Sequence, residues 1–261
     1  MKALDMFSIE NKVVAIIGGK GVYGTIMTER FAEAGAKVYV CARGIDVLEK
    51  NAAELRAKGY NVTACQADQA DEDSLIAFRE FILEREGRID AAVLNAVARP
   101  VKSFHCPKED YEQSMAVNST GTFLALRTFG DAIAENKAGS IVMIGSMQGM
   151  IGPDYAMYED AEMPGGVAAD YFFHKGGMIN LARFGASYYG QYGVRVNCVS
   201  PGGCRSEHNT EKFAKVYGRR TLLGRMATAD DLVGTIIFLV SDASAYITGA
   251  NIPVDGGYTA K

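Results

Sequence analysis

Apolar residues in this chain fall in short β-branched runs, separated by longer stretches with helical spacing. "KVVAII" (12–17) reads as a buried strand, and "GTIMTERFAEAG" (24–35) as a helix that stops at glycine. "KVYVCA" (37–42) is a second strand, and "DVLEKNAAELRAKG" (46–59) a helix that stops at Gly59. The strands continue in "NVTACQ" (61–66), "IDAAVLN" (89–95), "SIVMIG" (140–145) and "VRVNCVS" (194–200), and "NIPVDGG" (251–257) closes the series. Helices are expected near 72–86, 109–136 and 168–192. Nearly continuous apolar strands alternating with helices predict a parallel sheet covered on both faces. Right-handed crossovers then give an α/β, Rossmann-type, doubly wound fold with a mostly parallel sheet of seven strands. No linker, repeat or low-complexity stretch interrupts the pattern, so residues 1–261 are expected to form a single domain.

Composition adds few constraints. The hydrophobic share is 48% and the charged share 22%, ordinary for a globular protein. A net charge of −4 without a basic block argues against a nucleic-acid partner. "GTIIFLV" (234–240) is too short to span a membrane, and "MKALDMFSIENK" lacks the apolar core of a signal peptide. The five cysteines (Cys41, Cys65, Cys106, Cys198, Cys204) are odd in number and scattered, with no C-x-x-C pair. The pattern points to neither a disulfide framework nor a metal site, and fits a reducing cytoplasm.

Candidate chemistry begins after the first strand, in "GGKGVYG" (18–24). Gly19, Gly21 and Gly24 fit G-x-G-x-x-G, which allows a tight turn, close backbone approach to a pyrophosphate, and close helix–sheet packing. The helix that follows would present oriented N–H groups to phosphate. Gly18, Gly19, Lys20, Gly21, Tyr23 and Gly24 are therefore the expected cofactor loop. A sequence with an acid at the end of the second strand would favour NAD(H). Here Ala42 and Arg43 stand there, and an arginine can meet a 2′-phosphate. NADP(H) is the expected preference, with NAD(H) kept as the alternative because Asp46 lies close by.

Taken in order, these residues resemble the short-chain dehydrogenase/reductase family, from about residue 9 to 259. "ADQADEDS" (67–74) resembles the family's third-strand segment, which implies an adenine contact for Asp68. "LNAVA" (94–98) stands where the family has Asn-Asn-Ala-Gly, implying Asn95 beside the cofactor. "VNSTGTF" (117–123) carries the helix asparagine as Asn118, and "SIVMIGSMQG" (140–149) the serine as Ser146. "DYFFHKGG" (170–177) carries Tyr171 and Lys175. "YGVRVNCVSPGG" (192–203) and "ITGANIPVDGGYT" (247–259) match the closing motifs, with Pro201 and Gly202 expected at the cofactor.

The sequence departs from the family pattern in three places. Val22 replaces the central loop glycine, and Val97 removes a glycine near the cofactor. Ser146 and Tyr171 stand 25 positions apart, where the family has about half that. The usual spacing would end near Glu159, and neither Tyr155 nor Tyr158 has lysine four residues on. Tyr171 does, and it precedes "VSPGG" at the family's distance. The segment near 147–167 is therefore expected to be an insertion on the substrate side, looping out as a mobile lid.

The chemistry follows from the residue types. A tyrosine of ordinary pKa, about 10, is a poor base at neutral pH. A lysine one helical turn away lowers that value and can hold ribose hydroxyls. Ser146 would orient a substrate oxygen, and the resemblance implies a relay water held by Asn118. The expected reaction moves a hydride between a nicotinamide cofactor and a secondary alcohol or ketone, with no metal. Within the same helix, His174 is read as facing away from the Tyr–Lys stripe.

Substrate recognition is expected from the insertion, from residues 97–106 and from residues 204–220, whose polar and charged groups, Lys102, His105, Glu159 and Asn209 among them, suit a small sugar-, polyol- or hydroxy-acid-like substrate. Tyr155, Tyr158, Arg205 and His208 are candidate contacts alongside Ser146. The C-terminal segment 242–261 resembles the family's subunit-contact end, implying a homotetramer, or else a dimer. Two other readings use the same fold: a catalytically weak cofactor-sensing or interaction protein, and an epimerase using bound nicotinamide.

Overall fold

The computed structural model describes residues 2–162, 167–207 and 209–261. Seven strands form one sheet: β1 (Val13–Ile17), β2 (Lys37–Ala42), β3 (Val62–Gln66), β4 (Ala91–Leu94), β5 (Gly139–Ile144), β6 (Val194–Pro201) and β7 (Asn251–Val254). Their order is β3-β2-β1-β4-β5-β6-β7, and every neighbouring pair is parallel. The fold is the expected Rossmann-like α/β sheet.

The unbroken apolar run of β1 now has its reason. Val13, Ala15 and Ile17 join one core cluster, while Val14 and Ile16 join the other. Successive side chains point to opposite faces, and both faces are dry. On the first face pack α3 (Glu72–Glu86), α5 (Thr122–Glu135) and α7 (Ala169–Tyr189), through Phe78, Phe129 and Ala182. On the second pack α1 (Gly21–Glu33), α2 (Asp46–Ala57) and α9 (Asp230–Val240), through Phe31, Leu48 and Ile236. Full burial of a side chain such as Phe129 stabilises the fold by about 2–3 kcal/mol.

Local signals set the helix ends. Asp71 caps α3 by accepting from the Asp73 and Ser74 N–H groups, and Gly87 closes it with φ 69°. The helix expected over 109–136 is less regular. It runs as α4 (Lys108–Met115), a π-helical turn (Ala116–Gly121), then α5. The wider turn places the Asn118 side chain against the loop after β4.

The segment after β5 does not loop out freely. It contains α6 (Tyr155–Asp160), which rests on α8 (Glu211–Gly218). Met147, Met157, Ala161, Phe213, Val216, Tyr217 and Met226 close a small third core between them. Arg220 pairs with both Asp154 and Asp160 around the same joint, and Lys212 pairs with Glu162.

Candidate active site

The order of strands reverses between β1 and β4, since β2 and β3 lie to one side and β5 to β7 to the other. Loops leaving the C-terminal strand ends diverge there and open a crevice, the usual ligand position in such sheets. A cavity of about 910 Å³ occupies it.

The glycine loop forms one wall. Gly18 and Gly19 both donate N–H to the Cys41 carbonyl, tying the loop to the end of β2. Gly21 takes φ 84°, with open space where a side chain would stand. A Cβ at Gly24 would lie 2.5 Å from the Gly18 carbonyl oxygen, so only glycine lets α1 pack that closely on the turn. No side chain caps the start of α1. Its first N–H groups therefore face the crevice without an intrahelical partner, a cradle suited to a pyrophosphate. Tyr23 crosses to the opposite wall, its hydroxyl donating to the Gly202 carbonyl at 3.4 Å.

At the adenosine end, Lys20 and Arg43 both line the cavity, and Asp46 is not among the lining residues. Lys20 Nζ lies 3.0 Å from the position a Cβ on Gly44 would take, so the lysine leans across to the arginine's neighbour. Asp68 also lines this end and accepts from the Ala70 N–H at 3.0 Å. Asn95 donates from Nδ2 to the Gly18 carbonyl at 2.6 Å, bracing the loop. Pro201 and Gly202 close the far wall. These residues fit a dinucleotide: an uncapped helix start at the centre, cations at one end, titratable side chains at the other.

Those side chains come together although 25 positions separate Ser146 from Tyr171. Ser146, directly beyond β5, is 7% exposed, and its hydroxyl accepts the Gln148 N–H. Tyr171, half-buried, and Lys175, 3% exposed, share one face of α7. Lys175 Nζ lies 5.7 Å from the Tyr171 ring centre and donates to the Ile144 carbonyl at 2.6 Å. Burial pushes the Lys175 pKa down, while negative charge on Tyr171 would raise it.

Asn118 uses its whole amide on protein groups. Its Oδ1 accepts the Ala98 N–H at 2.8 Å, and its Nδ2 donates to the Ala98 carbonyl at 2.8 Å and to Ser114 Oγ at 2.9 Å. Ser114 in turn donates to Asp170, the residue before Tyr171. A buried relay thus ties the loop after β4, the π turn and the start of α7 into one unit.

The substrate candidates divide. Tyr158 lines the cavity and accepts a hydrogen bond from Gln148 Nε2 at 3.0 Å. Tyr155 is 58% exposed and lines a separate apolar pocket with Phe104, Met150 and Phe172. Arg205 pairs with Glu211 away from the cavity lining. His208 lies outside the described residues. His174 needs correction: it does not face away. It is 4% exposed and packs edge-on against the Tyr171 ring at 5.2 Å, because a spacing of three returns to the same helix face.

Sequence reasoning missed Arg99, whose guanidinium carbon lies 4.7 Å from the Tyr171 ring centre. It falls inside the stretch 97–106 expected to meet the substrate, where Lys102 and His105 are singled out and Arg99 is not.

A dinucleotide-shaped crevice with a serine, tyrosine and lysine at one end defines a nicotinamide-dependent oxidoreductase of the doubly wound class. The comparisons carry this to a family. Residues 21–259 match the family model described as enoyl-(acyl carrier protein) reductase. The chain is 32% identical to 2-(S)-hydroxypropyl-CoM dehydrogenase 3 of Xanthobacter autotrophicus, covering 97% of this chain and 98% of that one. It is also 32% identical to an NADP-dependent mannitol dehydrogenase of Hypocrea jecorina, covering 100% and 97%. A gluconate 5-dehydrogenase from Burkholderia cenocepacia, solved with NADP and tartrate, superposes with a TM-score of 0.88 at 26% identity over 99% of each chain. The chain belongs to the short-chain dehydrogenase/reductase family, and it is an NAD(P)-dependent oxidoreductase.

Proposed function

We propose that this enzyme interconverts a secondary alcohol and a ketone on a small polyhydroxylated substrate, a sugar, polyol or hydroxy acid, with NADP(H) preferred over NAD(H). The observation that carries the reading is the convergence of Ser146, Tyr171 and Lys175 on the end of the crevice opposite Lys20 and Arg43. Relatives acting on mannitol and gluconate support the substrate class.

Bound nicotinamide supplies the hydride acceptor or donor. The protein's part is proton transfer and placement. In oxidation, Ser146 Oγ hydrogen-bonds the substrate hydroxyl and holds it toward Tyr171. Tyr171, as phenolate, takes the hydroxyl proton as the carbon–hydrogen bond breaks and the C=O bond forms; in reduction the phenol returns it. Lys175 favours the phenolate by its charge and supplies donors for ribose hydroxyls. Asn118 fixes the loop wall through Ala98, and we place the relay water of the proton path beside it. Gln148 and Tyr158 form the substrate side, under a roof made by α6 and α8.

We read residues 1–261 as a single domain with a substrate-side insertion near 147–167, working as a homotetramer in a reducing cytoplasm. Exposed aromatics on α7 and exposed Leu222, Leu223 and Tyr246 support two separate subunit contacts.

The test is a panel of sugars, polyols and hydroxy acids with either cofactor, followed by nicotinamide absorbance. Tyr171→Phe should lower kcat by on the order of 10²–10⁴ for whichever substrate responds, with cofactor affinity retained. Near-wild-type turnover in Tyr171→Phe, with collapse in Tyr158→Phe, would move the proton to the other tyrosine.

A further inference from the structure

We infer that the substrate end of the crevice is built for a carboxylate, held by Arg99, so that the preferred substrate is a small polyhydroxy acid rather than its neutral counterpart. This rests on the reaction proposed above and narrows its substrate class.

Arg99 is exposed yet not free to wander. Asn118 grips the preceding residue through both backbone groups of Ala98, and Lys102 Nζ donates to the Arg99 carbonyl at 2.7 Å. The guanidinium leans over the Tyr171 ring at 4.7 Å, where cation–π attraction favours it. Its charge is felt by its neighbours: it opposes protonation of His174 and Lys175 and favours ionisation of Tyr158. No carboxylate among the described residues pairs with it. The single acid among the described residues lining the cavity is Asp68, which follows β3 at the adenosine end.

An isolated exposed arginine is ordinary. This one is different because its backbone is clamped, its head rests on the ring of the candidate tyrosine, and no acid among the described residues lines the cavity at this end. Arg99 and Lys175 both line the cavity beside Tyr171. A planar guanidinium binds a carboxylate through two parallel hydrogen bonds. It stands within about one ring's length of the tyrosine, so only a few carbons separate the bound carboxylate from the reacting hydroxyl. Gln148 and Tyr158, hydrogen-bonded to each other, remain as neutral partners for intervening hydroxyls.

The experiment compares aldonates of four to six carbons with alditols of the same length, using wild type, Arg99→Gln and Arg99→Lys. Wild type should favour the acids. In Arg99→Gln the ratio of kcat/KM, acid over alditol, should fall on the order of 10- to 100-fold, mostly through KM for the acid. Arg99→Lys should recover part of it, and added salt should raise KM for the acid only. If Arg99 merely supports Tyr171, both substrate kinds lose rate alike; an unchanged ratio therefore overturns the inference. Should no aldonate or alditol react with either cofactor, the proposed reaction fails, and tartrate binding by calorimetry with NADPH present decides the anchor separately. Heat seen in wild type and lost in Arg99→Gln keeps it; equal heat in both proteins, or none in wild type, removes it.

Discussion

His174 is buried against Tyr171 with Lys175 and Arg99 close by, and its two ring nitrogens make no hydrogen bond within the described residues. Burial first, then the charges of Lys175 and Arg99, push its pKa down to about 3. An unfolded histidine titrates near 6.5. Between those values the unfolded chain binds a proton that the folded one refuses. The stability is therefore complete above about pH 6.5 and falls as pH drops toward 3. His174→Phe keeps a ring on Tyr171 and removes that proton. The slope of the urea midpoint between pH 6.5 and 4.5 should flatten in the variant; an unchanged slope would show that the imidazole does not control it. Asp154, Asp231 and Asp255, held below the usual carboxylate range, act only at lower pH. At the other end of the crevice, Arg43→Ala should weaken NADP(H) by about 1–3 kcal/mol, through lost charged hydrogen bonds to the 2′-phosphate. Titration by nicotinamide fluorescence checks this, and tighter binding of NAD(H) by wild type would return the ribose contact to Asp46.

Among the elements, α6 and α8 act as a pair. Neither is long enough to be stable alone, since isolated short helices are marginal in water. They hold each other through Met157, Phe213 and Tyr217, and Arg220 fastens the joint by its two aspartates. Each partly exposed ion pair contributes at most about 1 kcal/mol. Arg220→Ala should therefore barely move the global Tm, yet open the joint locally. Hydrogen exchange should quicken over residues 154–162 and 211–218, and KM for the substrate should rise several-fold while cofactor affinity stays. Faster exchange spread over the whole sheet would contradict a local latch. Below the roof, the π turn shows how an irregular element serves a site. Its extra width turns Asn118 to Ala98, and Gly121 lies so close to Gln69 that a Cβ there would stand 2.7 Å from the Gln69 carbonyl oxygen.

At the scale of the molecule, every group assigned to the reaction lies on the C-terminal edge of the strands, while the outer face of α7 and the 3-10 turn that follows it (Gly190–Tyr192) carry another pattern. Phe184, Tyr188 and Tyr192 recur at intervals of four, remain exposed, and touch one another in sequence, with Phe184 stacked on Tyr188 at 6.4 Å. Such a stripe on a helix that already buries its opposite side suits a symmetric contact with a second copy. Phe184→Arg should lower the solution mass from tetramer to dimer or monomer, as read by light scattering at micromolar concentration. A monomeric wild type would refute the assembly itself.

How much was legible beforehand depended on the range of the signal. Strand runs and helix periods arise from residues a few positions apart, so the seven strands and α1, α2, α3, α5 and α7 could be read directly, while α9 was not read as a helix. The glycine loop was legible for the same reason: its turn, its approach to α1 and the uncapped helix start lie within one local stretch. Tyr171 and Lys175 could be paired by helical spacing. The side of α7 taken by His174 was misjudged, although a spacing of three is equally local. The length of the stretch between Ser146 and Tyr171 was legible, but not that it holds α6 seated on α8, because its apolar residues find partners some 50 or more positions away, Met157 with Phe213 among them. Arg99 lay within the expected substrate stretch 97–106 but could not be told from the other charged loop residues there. Composition and local period determined the sheet, its two dry faces and the glycine turn that opens α1, since those depend on backbone geometry and on which residues avoid water. Only the tertiary structure decided what the face of α7 bearing Tyr171, His174 and Lys175 meets, because Ser146 and Arg99 reach it through the crossing of strands and loops, and long-range contacts leave no periodic trace in a chain.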